Sequence, residues 1–567
     1  MLTKQWVLRE VDQLQRAALA KSLSISPITA AVLLARGVTT AAQAQTWLAP
    51  HLVASHDPLL IPDMEPAIDR LHRALVEGER ICFYGDYDVD GMAATSLYLT
   101  YFRGQGGQAI SYIPHRVREG YGLNETALRW LHRQGVSLVV TSDCGTTAHR
   151  EAEVAKQLGL DLIITDHHQC DERLPPALAL LNPHRPDSAY PYTGLCSGGL
   201  AYKVTRAYQD KYGTSGPEPE TLLDLVALAT VADIVPLQDE NRILVREGLD
   251  LIARGSRCGV RALKEVAGVG RDVNTGTVAF RLAPRINAAG RMAHAEMGVR
   301  LLTTESDVEA REVADQLEQL NRARQRLEEE TTSEAVSMVK AETEPAALAV
   351  WAGHWHLGVV GIVAARLVER FHRPAVVIAV NDQGIGKGSA RSIPGFDLYQ
   401  ALSACRDLLD AFGGHPCAAG LTIRESRLES FRERFAEVAA CWEGGVPKQP
   451  LLHLDAEVHL SEVNDQLVQE LGLLHPFGAG NPEPTLAVRN LAILGSRVVG
   501  ERHLKLTVRH GNSKPFDSIG FRMGSLADCG LSAAQSVDLA FVPERNSWNG
   551  LDRIQLRIRD LKASQPL

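Results

Sequence analysis

Tyr84-Gly85-Asp86-Tyr87-Asp88-Val89-Asp90-Gly91 follows directly on the apolar run Ile81-Cys82-Phe83. Three carboxylates alternate with other residues, and in an extended chain residues two apart share a face. If the strand ends near Gly85, the acids fall on a strand-to-helix turn, where ligands gather in open α/β sheets. Three like charges this close repel strongly unless a cation neutralises them. A solvated acidic turn is the plain alternative. A calcium loop of D-x-D-x-D-G type wants a glutamate at position 97, which is Leu97, so that pattern is set aside.

Outward from this stretch, between about 65 and 235, apolar runs alternate with helical patterns. Ile81–Gly85, Ala109–Ile113, Val136–Ser142, Leu160–Thr165 and Leu178–Asn182 read as strands, with Met92–Arg103 and Thr147–Leu158 among the helices between them. Short buried strands separated by helices signal βαβ units and a mostly parallel sheet, with a site at its carboxyl edge. Residues 1 to about 55 read as three short helices, Asp12–Leu23, Ile28–Arg36 and Thr40–Leu48, forming a small cap. From 306 to 341 runs a charged helical stretch without Gly or Pro, with Val313, Leu317, Leu320 and Leu327 at helical spacing. One narrow apolar stripe fits a helix bridging two domains, and it lasts too few heptads for a coiled coil. The α/β pattern resumes at Ala347–Trp351, Val359–Phe371 and Ala375–Val380, with loops expected at Gly384–Gly388 and Gly413-Gly414. After Gly444-Gly445-Val446-Pro447 the texture changes to short strands, Leu486–Arg489, His503–Arg509, Asp538–Pro543 and Ile554–Ile558, which suggest a small barrel or sandwich.

At 567 residues the chain is too long for one core, and about three to four domains are expected. The formal charge of −9 argues against a broadly basic coat but leaves room for a local basic groove. Nine cysteines without a C-x-x-C pair argue against a disulfide framework or structural zinc and suit a reducing compartment. The first residues lack the apolar core of a signal peptide, and no apolar run approaches the ~20 residues of a membrane span. The expectation is a soluble, cytoplasmic protein without a membrane partner.

Three further apolar stretches end in acid. Val139-Val140-Thr141-Ser142 leads to Asp143, Leu162-Ile163-Ile164-Thr165 leads to Asp166-His167-His168, and the helical run Leu222–Val231 leads to Asp233. A lone Asp after a strand is commonly a helix N-cap. On parallel neighbouring strands, however, these ends share one edge and their side chains converge. Carboxylates mixed with one or two imidazoles suit Mn²⁺ or Mg²⁺ better than structural zinc. So many acids suggest two cations sharing a bridging carboxylate, a set suited to phosphodiester hydrolysis.

Asp166-His167-His168, preceded by Gly85–Gly91 and Ser142-Asp143-Cys144-Gly145, resembles the DHH phosphoesterase superfamily. Further stretches resemble its branch of single-strand-specific 5′→3′ DNA exonucleases: Ile113–Arg116 with Glu119–Gly122, Thr230–Leu237, Pro284–Arg291 and Trp355–Ile362. Gly388–Ser392 and Gly413-Gly414-His415 resemble the DHHA1 domain, and Pro476–Pro482 with His503-Leu504-Lys505 the branch's OB-fold region. The resemblance implies an α/β protein: a parallel-sheet DHH domain joined by a long helix to a smaller α/β DHHA1 domain, with a C-terminal OB-fold barrel. Expected boundaries are 1–60 for the helical cap, 61–300 for DHH, 301–345 for the connecting helix, 346–446 for DHHA1 and 447–567 for the barrel.

By the same resemblance, Asp88, Asp90, Asp143, His167 and Asp233 match metal-ligand positions and Asp86 is a further candidate; which members of the run bind directly is left open. His168 would stand beside the ligands or against the scissile phosphate. Relatives often carry a histidine where this chain has Tyr84, a poor ligand for a hard cation, so weaker binding of the second ion is expected. A 5′-exonuclease must hold a terminal phosphate, for which arginine offers a bidentate fork. Arg116 matches that role, with Arg285 or Arg291, Ser389 and Arg391 approaching from elsewhere, and His415 fits a contact on the nucleic-acid backbone. The barrel would bind unpaired bases, with Phe477, Phe516, Phe521, Phe541 and Trp548 as its available aromatics. Implied partners are single-stranded DNA and, more remotely, single-stranded-DNA-binding protein and a RecQ-type helicase. Two rivals are a related phosphodiesterase acting on short oligonucleotides or cyclic dinucleotides, which needs no OB fold, and a non-cutting DNA-binding scaffold, which would be expected to lose ligands.

Overall fold

The structure, a computed structural model, describes residues 4–116, 118–213, 215–340, 345–442, 445, 447, 449–500, 502–527, 536–548 and 551–564. Two compact units divide the chain. One comprises Asp57–Asp233 and Glu247–Pro450; the other comprises Lys4–His56, Ile234–Arg246 and Leu451–Leu567.

The first unit holds two sheets. In one, β1 (Arg80–Tyr84), β2 (Gln108–Tyr112), β3 (Val136–Thr141), β4 (Asp161–Thr165) and β5 (Ala179–Leu181) lie in the order β2-β1-β3-β4-β5. All neighbours are parallel. The order reverses between β1 and β3, and the crevice at such a switch point is where ligands bind in open α/β sheets. Helix α1 (Val89–Gly104) is buried on nearly every side. It carries Tyr98 and Phe102 against Phe83 of β1, with ring centroids 5.0 and 5.6 Å apart. Each such aromatic contributes roughly 1.5–3 kcal/mol through burial alone. Helices α2 (Ser197–Tyr212) and α3 (Leu223–Ala232) cover the outer side of α1.

Further along, α4 (Ala283–Met292) packs against α5 (Asp307–Lys340), a 34-residue helix. Expected as a bridging helix with one narrow apolar stripe, α5 also buries several polar groups. Arg324 and Glu328 are only 9% exposed and pair at 2.5 Å, and Arg366 reaches Glu328 at 3.1 Å.

The second sheet is built from β6 (Leu348–Ala352), β7 (Ala375–Val380), β8 (Ile385–Arg391), β9 (Ala411–His415) and β10 (Ala418–Arg424), in the order β9-β10-β8-β7-β6. Helix α6 (Val360–Phe371) packs on β7 and β8. Gly384 lies in the expected turn, but the rest of the loops expected at Gly384–Gly388 and Gly413-Gly414 is corrected: β8 runs through Gly386 and Gly388, and β9 through Gly413 and Gly414. Packing is the reason. A Cβ on Gly386 or Gly388 would come within 2.8 Å of Ile378, and one on Gly414 within 2.5 Å of the Ala418 carbonyl.

In the second unit, strands Leu486–Val499, His503–Arg509, Phe516–Gly520, Leu551–Ala563 and Ser536–Trp548 close into a five-stranded barrel, because the last pairs back with the first. Inward positions such as Leu504, Leu506, Val508, Leu539 and Phe541 fill it. The three N-terminal helices, Gln13–Leu23, Pro27–Ala35 and Ala41–Leu48, do not form a separate cap. Ile28, Val32 and Leu33 join the barrel's apolar cluster, and Gln5–Leu8 pairs in parallel with Leu451–Leu454. Of the barrel aromatics, Phe541 is core, Phe477 and Phe516 are half-buried against it, and Phe521 is 51% exposed. The Trp548 side chain and half of the expected linker, Gly444 and Val446, lie outside the described residues.

Candidate active site

The turn after β1 is tight because Gly91 allows it. A Cβ there would lie 2.5–2.8 Å from the backbone of Asp86. Asp88 caps α1, accepting from the backbone N–H groups of Asp90 at 2.9 Å and Gly91 at 3.3 Å. Asp90 points toward the start of α2, where its two oxygens accept from the Ser197 and Gly198 N–H groups, both at 2.8 Å. Asp143 follows β3 with φ of 68°, a left-handed conformation uncommon outside glycine. It is not the N-cap of the following helix, a place held by Ala148. His167 and His168 follow β4, and Asp233 ends α3.

These distant residues meet. Nε2 of His167 lies 3.1 Å from Asp143, 3.5 Å from Asp90 and 3.6 Å from Asp233. Three sets, Asp86/Asp88/Asp143, Asp90/His167/Asp233 and Asp143/His167/His168, each place their ligand atoms within 4.8 Å of one another. Asp143 belongs to two of the sets, which suits a shared carboxylate.

Burial and mutual repulsion push Asp86 and Asp143 well above the carboxylate range, and raise Asp233 to about 8. Asp86 Oδ1 is buried without a hydrogen-bond partner. An orphaned carboxylate oxygen amid like charges is what a divalent cation relieves, so the residues present fit Mn²⁺ or Mg²⁺. Tyr84 takes no place among these donors. It stacks on Tyr112 in the apolar core and donates its O–H to the Gly122 carbonyl at 2.9 Å.

Sequence reasoning missed the residues behind these groups. Burial pushes Asp166 up, but its bonds to His168 at 2.7 Å and to the Thr146 N–H at 2.9 Å bring it down to about 2. In return, against the effect of burial, Asp166 raises His168 to about 9. Ser197 donates to Asp143 at 3.3 Å, and Tyr121 donates to the Asp143 carbonyl at 2.8 Å. The available signals were the strand-end position of Asp166 and the run Ser197-Gly198-Gly199 opening a helix.

Beside the acids lies a cavity of about 480 Å³, with Tyr87, Arg116, Arg291, Ser389 and Arg391 in its wall. The Arg116 guanidinium lies over the Tyr87 ring, 4.6 Å from its centroid. Arg291 donates to the Gly358 carbonyl at 3.2 Å, and Arg391 donates to Ser389 Oγ at 2.9 Å. The first turn of α6 faces the same space through Val360 and Gly361, and a Cβ on Gly361 would meet Ser389 Oγ at 3.0 Å. The helix dipole favours an anion there. Burial and the nearby Arg116 lower Arg291 to about 10 and also lower Arg391. No carboxylate lines the cavity among the described residues, although Asp86 and Asp88, on either side of Tyr87, act on Arg116 and Arg291 from the neighbouring cluster.

Two expected contacts stand apart. Arg285 pairs with Glu318 of α5 at 2.7 Å and does not line the cavity. His415 is exposed at the end of β9, outside the cavity wall.

Residues 80–230 match the N-terminal domain of the DHH family and residues 343–440 the DHHA1 domain. An acid- and histidine-rich edge on a parallel sheet, followed by a DHHA1 domain, defines a DHH-type phosphoesterase. Residues 454–560 match the RecJ OB domain. The chain is 39% identical to the single-stranded-DNA-specific exonuclease RecJ of Bacillus subtilis, over 99% of this chain and 71% of that protein. The crystal structure of Thermus thermophilus RecJ in complex with Mn²⁺ superposes with a TM-score of 0.85 and 31% identity, covering 99% of this chain and 80% of that one. The Mg²⁺ complex from the same organism gives 0.80 and 30%, covering 99% and 79%. The chain belongs to the RecJ family of single-stranded-DNA-specific exonucleases.

Proposed function

We propose that the chain is a metal-dependent exonuclease that hydrolyses single-stranded DNA from the 5′ end to mononucleotides, in recombination and repair. The observation that carries this reading is the adjacency of the acid–histidine cluster to a cationic cavity without carboxylates. Asp86, Asp88, Asp90, Asp143, His167 and Asp233 would hold two Mn²⁺ or Mg²⁺ ions, which supply an activated water and charge stabilisation when bound. Arg116, Arg291, Ser389, Arg391 and the start of α6 hold the terminal phosphate. His168, kept protonated by Asp166, places a positive charge where the scissile phosphate gains negative charge. Ser197 and Tyr121 fix the orientation of Asp143. The barrel would bind unpaired bases, a feature short substrates do not require.

The domain boundaries given above and contacts with single-stranded-DNA-binding protein and a RecQ-type helicase belong to the same reading, as does a cytoplasmic location. Among the described residues, no single helix is long and apolar enough to cross a membrane. One assay tests the core of the proposal. An oligonucleotide labelled at either end is incubated with EDTA and then with added Mn²⁺ or Mg²⁺. The 5′ label should be released first, as a mononucleotide, and only with metal; release of the 3′ label first, or cutting in EDTA, overturns it.

A further inference from the structure

The end-binding cavity carries more positive charge than a terminal monophosphate needs. Arg116, Arg291 and Arg391 converge on its inner part, and Lys387 adds a fourth cation to its wall. A monophosphate supplies roughly −1.5 to −2 at neutral pH, less than the charge of the four cations in the wall. Each added phosphate brings at least one further negative charge.

The arrangement along β8 gives this excess a direction. Lys387, Ser389 and Arg391 alternate onto one face, at roughly 7 Å per pair of residues. Ser389 and Arg391 are half-buried, whereas Lys387 is exposed. Lys387 stands opposite Thr422 of β10, which also lines the cavity. Lys387 is exposed and lines the cavity, so its ammonium can reach a ligand held there. The wall is also kept low beside this row. A Cβ on Gly413 would meet nothing within 4 Å, and one on Gly420 only the Gly388 carbonyl at 3.9 Å. A chain of phosphates starting at Ser389 and Arg391 thus has both room and a cation one step along the strand.

We propose that the cavity accepts 5′-di- and triphosphorylated strand ends, with Lys387 binding the phosphates beyond the first, so that the enzyme initiates on such ends as well as on monophosphates. This rests on the reading that the cavity holds the 5′ terminus. In the first cycle water adds to the phosphorus of the first internucleotide diester as its bond to the 3′ oxygen breaks. That oxygen leaves with the electron pair and takes up a proton. A nucleoside 5′-triphosphate departs, and the remaining strand begins with a 5′-monophosphate, so every later cycle is the ordinary one.

The test uses the full chain and one oligodeoxynucleotide sequence carrying a 5′-hydroxyl, a 5′-monophosphate or a 5′-triphosphate. Affinities are measured by anisotropy in EDTA, and first products are identified by chromatography after Mn²⁺ is added. The triphosphate end should bind more tightly than the monophosphate end and release a nucleoside triphosphate. Lys387→Gln should weaken triphosphate binding about fivefold, the scale of one exposed charge-assisted contact, and monophosphate binding less than twofold. Lys387→Arg should retain the preference. A triphosphate end that binds no better than a hydroxyl end, while the monophosphate binds well, overturns this inference and leaves the proposed function standing. Equal losses for both phosphorylated ends in Lys387→Gln also overturn it. If the monophosphate itself gives no advantage over hydroxyl, the end-binding reading fails and this inference falls with it.

Discussion

Replacing Asp143 by Asn keeps the shape of the side chain and removes one negative charge from the middle of the acid cluster. The amide still accepts from Ser197 Oγ, whose distance to Asp143 is 3.3 Å, so the left-handed turn at residue 143 keeps its support. What is lost is a carboxylate shared by two of the three ligand sets. A unit charge acting over about 4 Å at an effective dielectric near 20 is worth about 4 kcal/mol. At about 1.4 kcal/mol per factor of ten, the hydrolysis rate should fall about 10³-fold. The cationic cavity and the barrel are untouched, so single-strand affinity measured by anisotropy in EDTA should change less than threefold. Manganese affinity, measured by calorimetry without DNA, should fall in parallel with the rate. His167→Ala should show the same separation, because its Nε2 lies within 3.6 Å of three carboxylates. Hydrolysis retained within tenfold of the starting enzyme, or DNA binding lost while cutting persists, would refute the assignment of this cluster as the metal centre.

Arg116→Ala should reduce the preference for 5′-phosphorylated over 5′-hydroxyl ends by about tenfold or more, because Arg116 stacks on Tyr87 in the cavity wall; a paired assay on the two ends reads it directly. Deleting residues 451–567 should impair long substrates more than dinucleotides. It also uncovers Ile28, Val32 and Leu33, so the shortened chain should aggregate, as light scattering would show, unless the N-terminal helices are removed too. Burial pushes Glu483 up, but Arg557 and Arg559 outweigh it and hold the carboxyl below its usual range. A depressed folded-state value means stability that is present above the unfolded value and lost as pH falls through the folded one. Glu483→Gln should therefore lower the melting temperature by about 2–4 °C at pH 7, and the difference should disappear in acid.

The parallel sheet was legible because its signals are local. Each strand is a short apolar run, and Asp86, Asp143 and Asp166 sit where such a run stops. Convergence followed from topology alone, since parallel neighbours put all their carboxyl ends on one edge. The second sheet was partly hidden, because glycine reads as a loop residue when it is in fact excluding a Cβ. Gly386 and Gly388 lie in β8 because Ile378 crowds them, and that crowding is a property of the neighbouring strand. Arg285 misled for a similar reason. Its partner Glu318 is 33 residues away on α5, and nothing near position 285 announces that its charge is already matched. The N-terminal helices gave no hint that their apolar faces would be covered by strands more than 400 residues later.

One turn joins the two halves of the site. Asp86 and Asp88 enter a ligand set with Asp143, whereas Tyr87 between them lines the cavity and carries Arg116 on its ring. Gly290 of α4 lies against the same turn, where a Cβ would approach the Tyr87 carbonyl to 2.3 Å. Helix α4 also carries Arg291 to the cavity, so a shift of α4 would disturb the turn and the end-binding cations together. Under the proposed reading, the turn and α4 together couple the held 5′ phosphate to the acid cluster, because Tyr87 carries Arg116 and Gly290 packs on the turn beside Arg291. Release of one nucleotide per cycle follows from that constraint, because the next diester comes into register only after the new 5′ phosphate has taken the place of the old one.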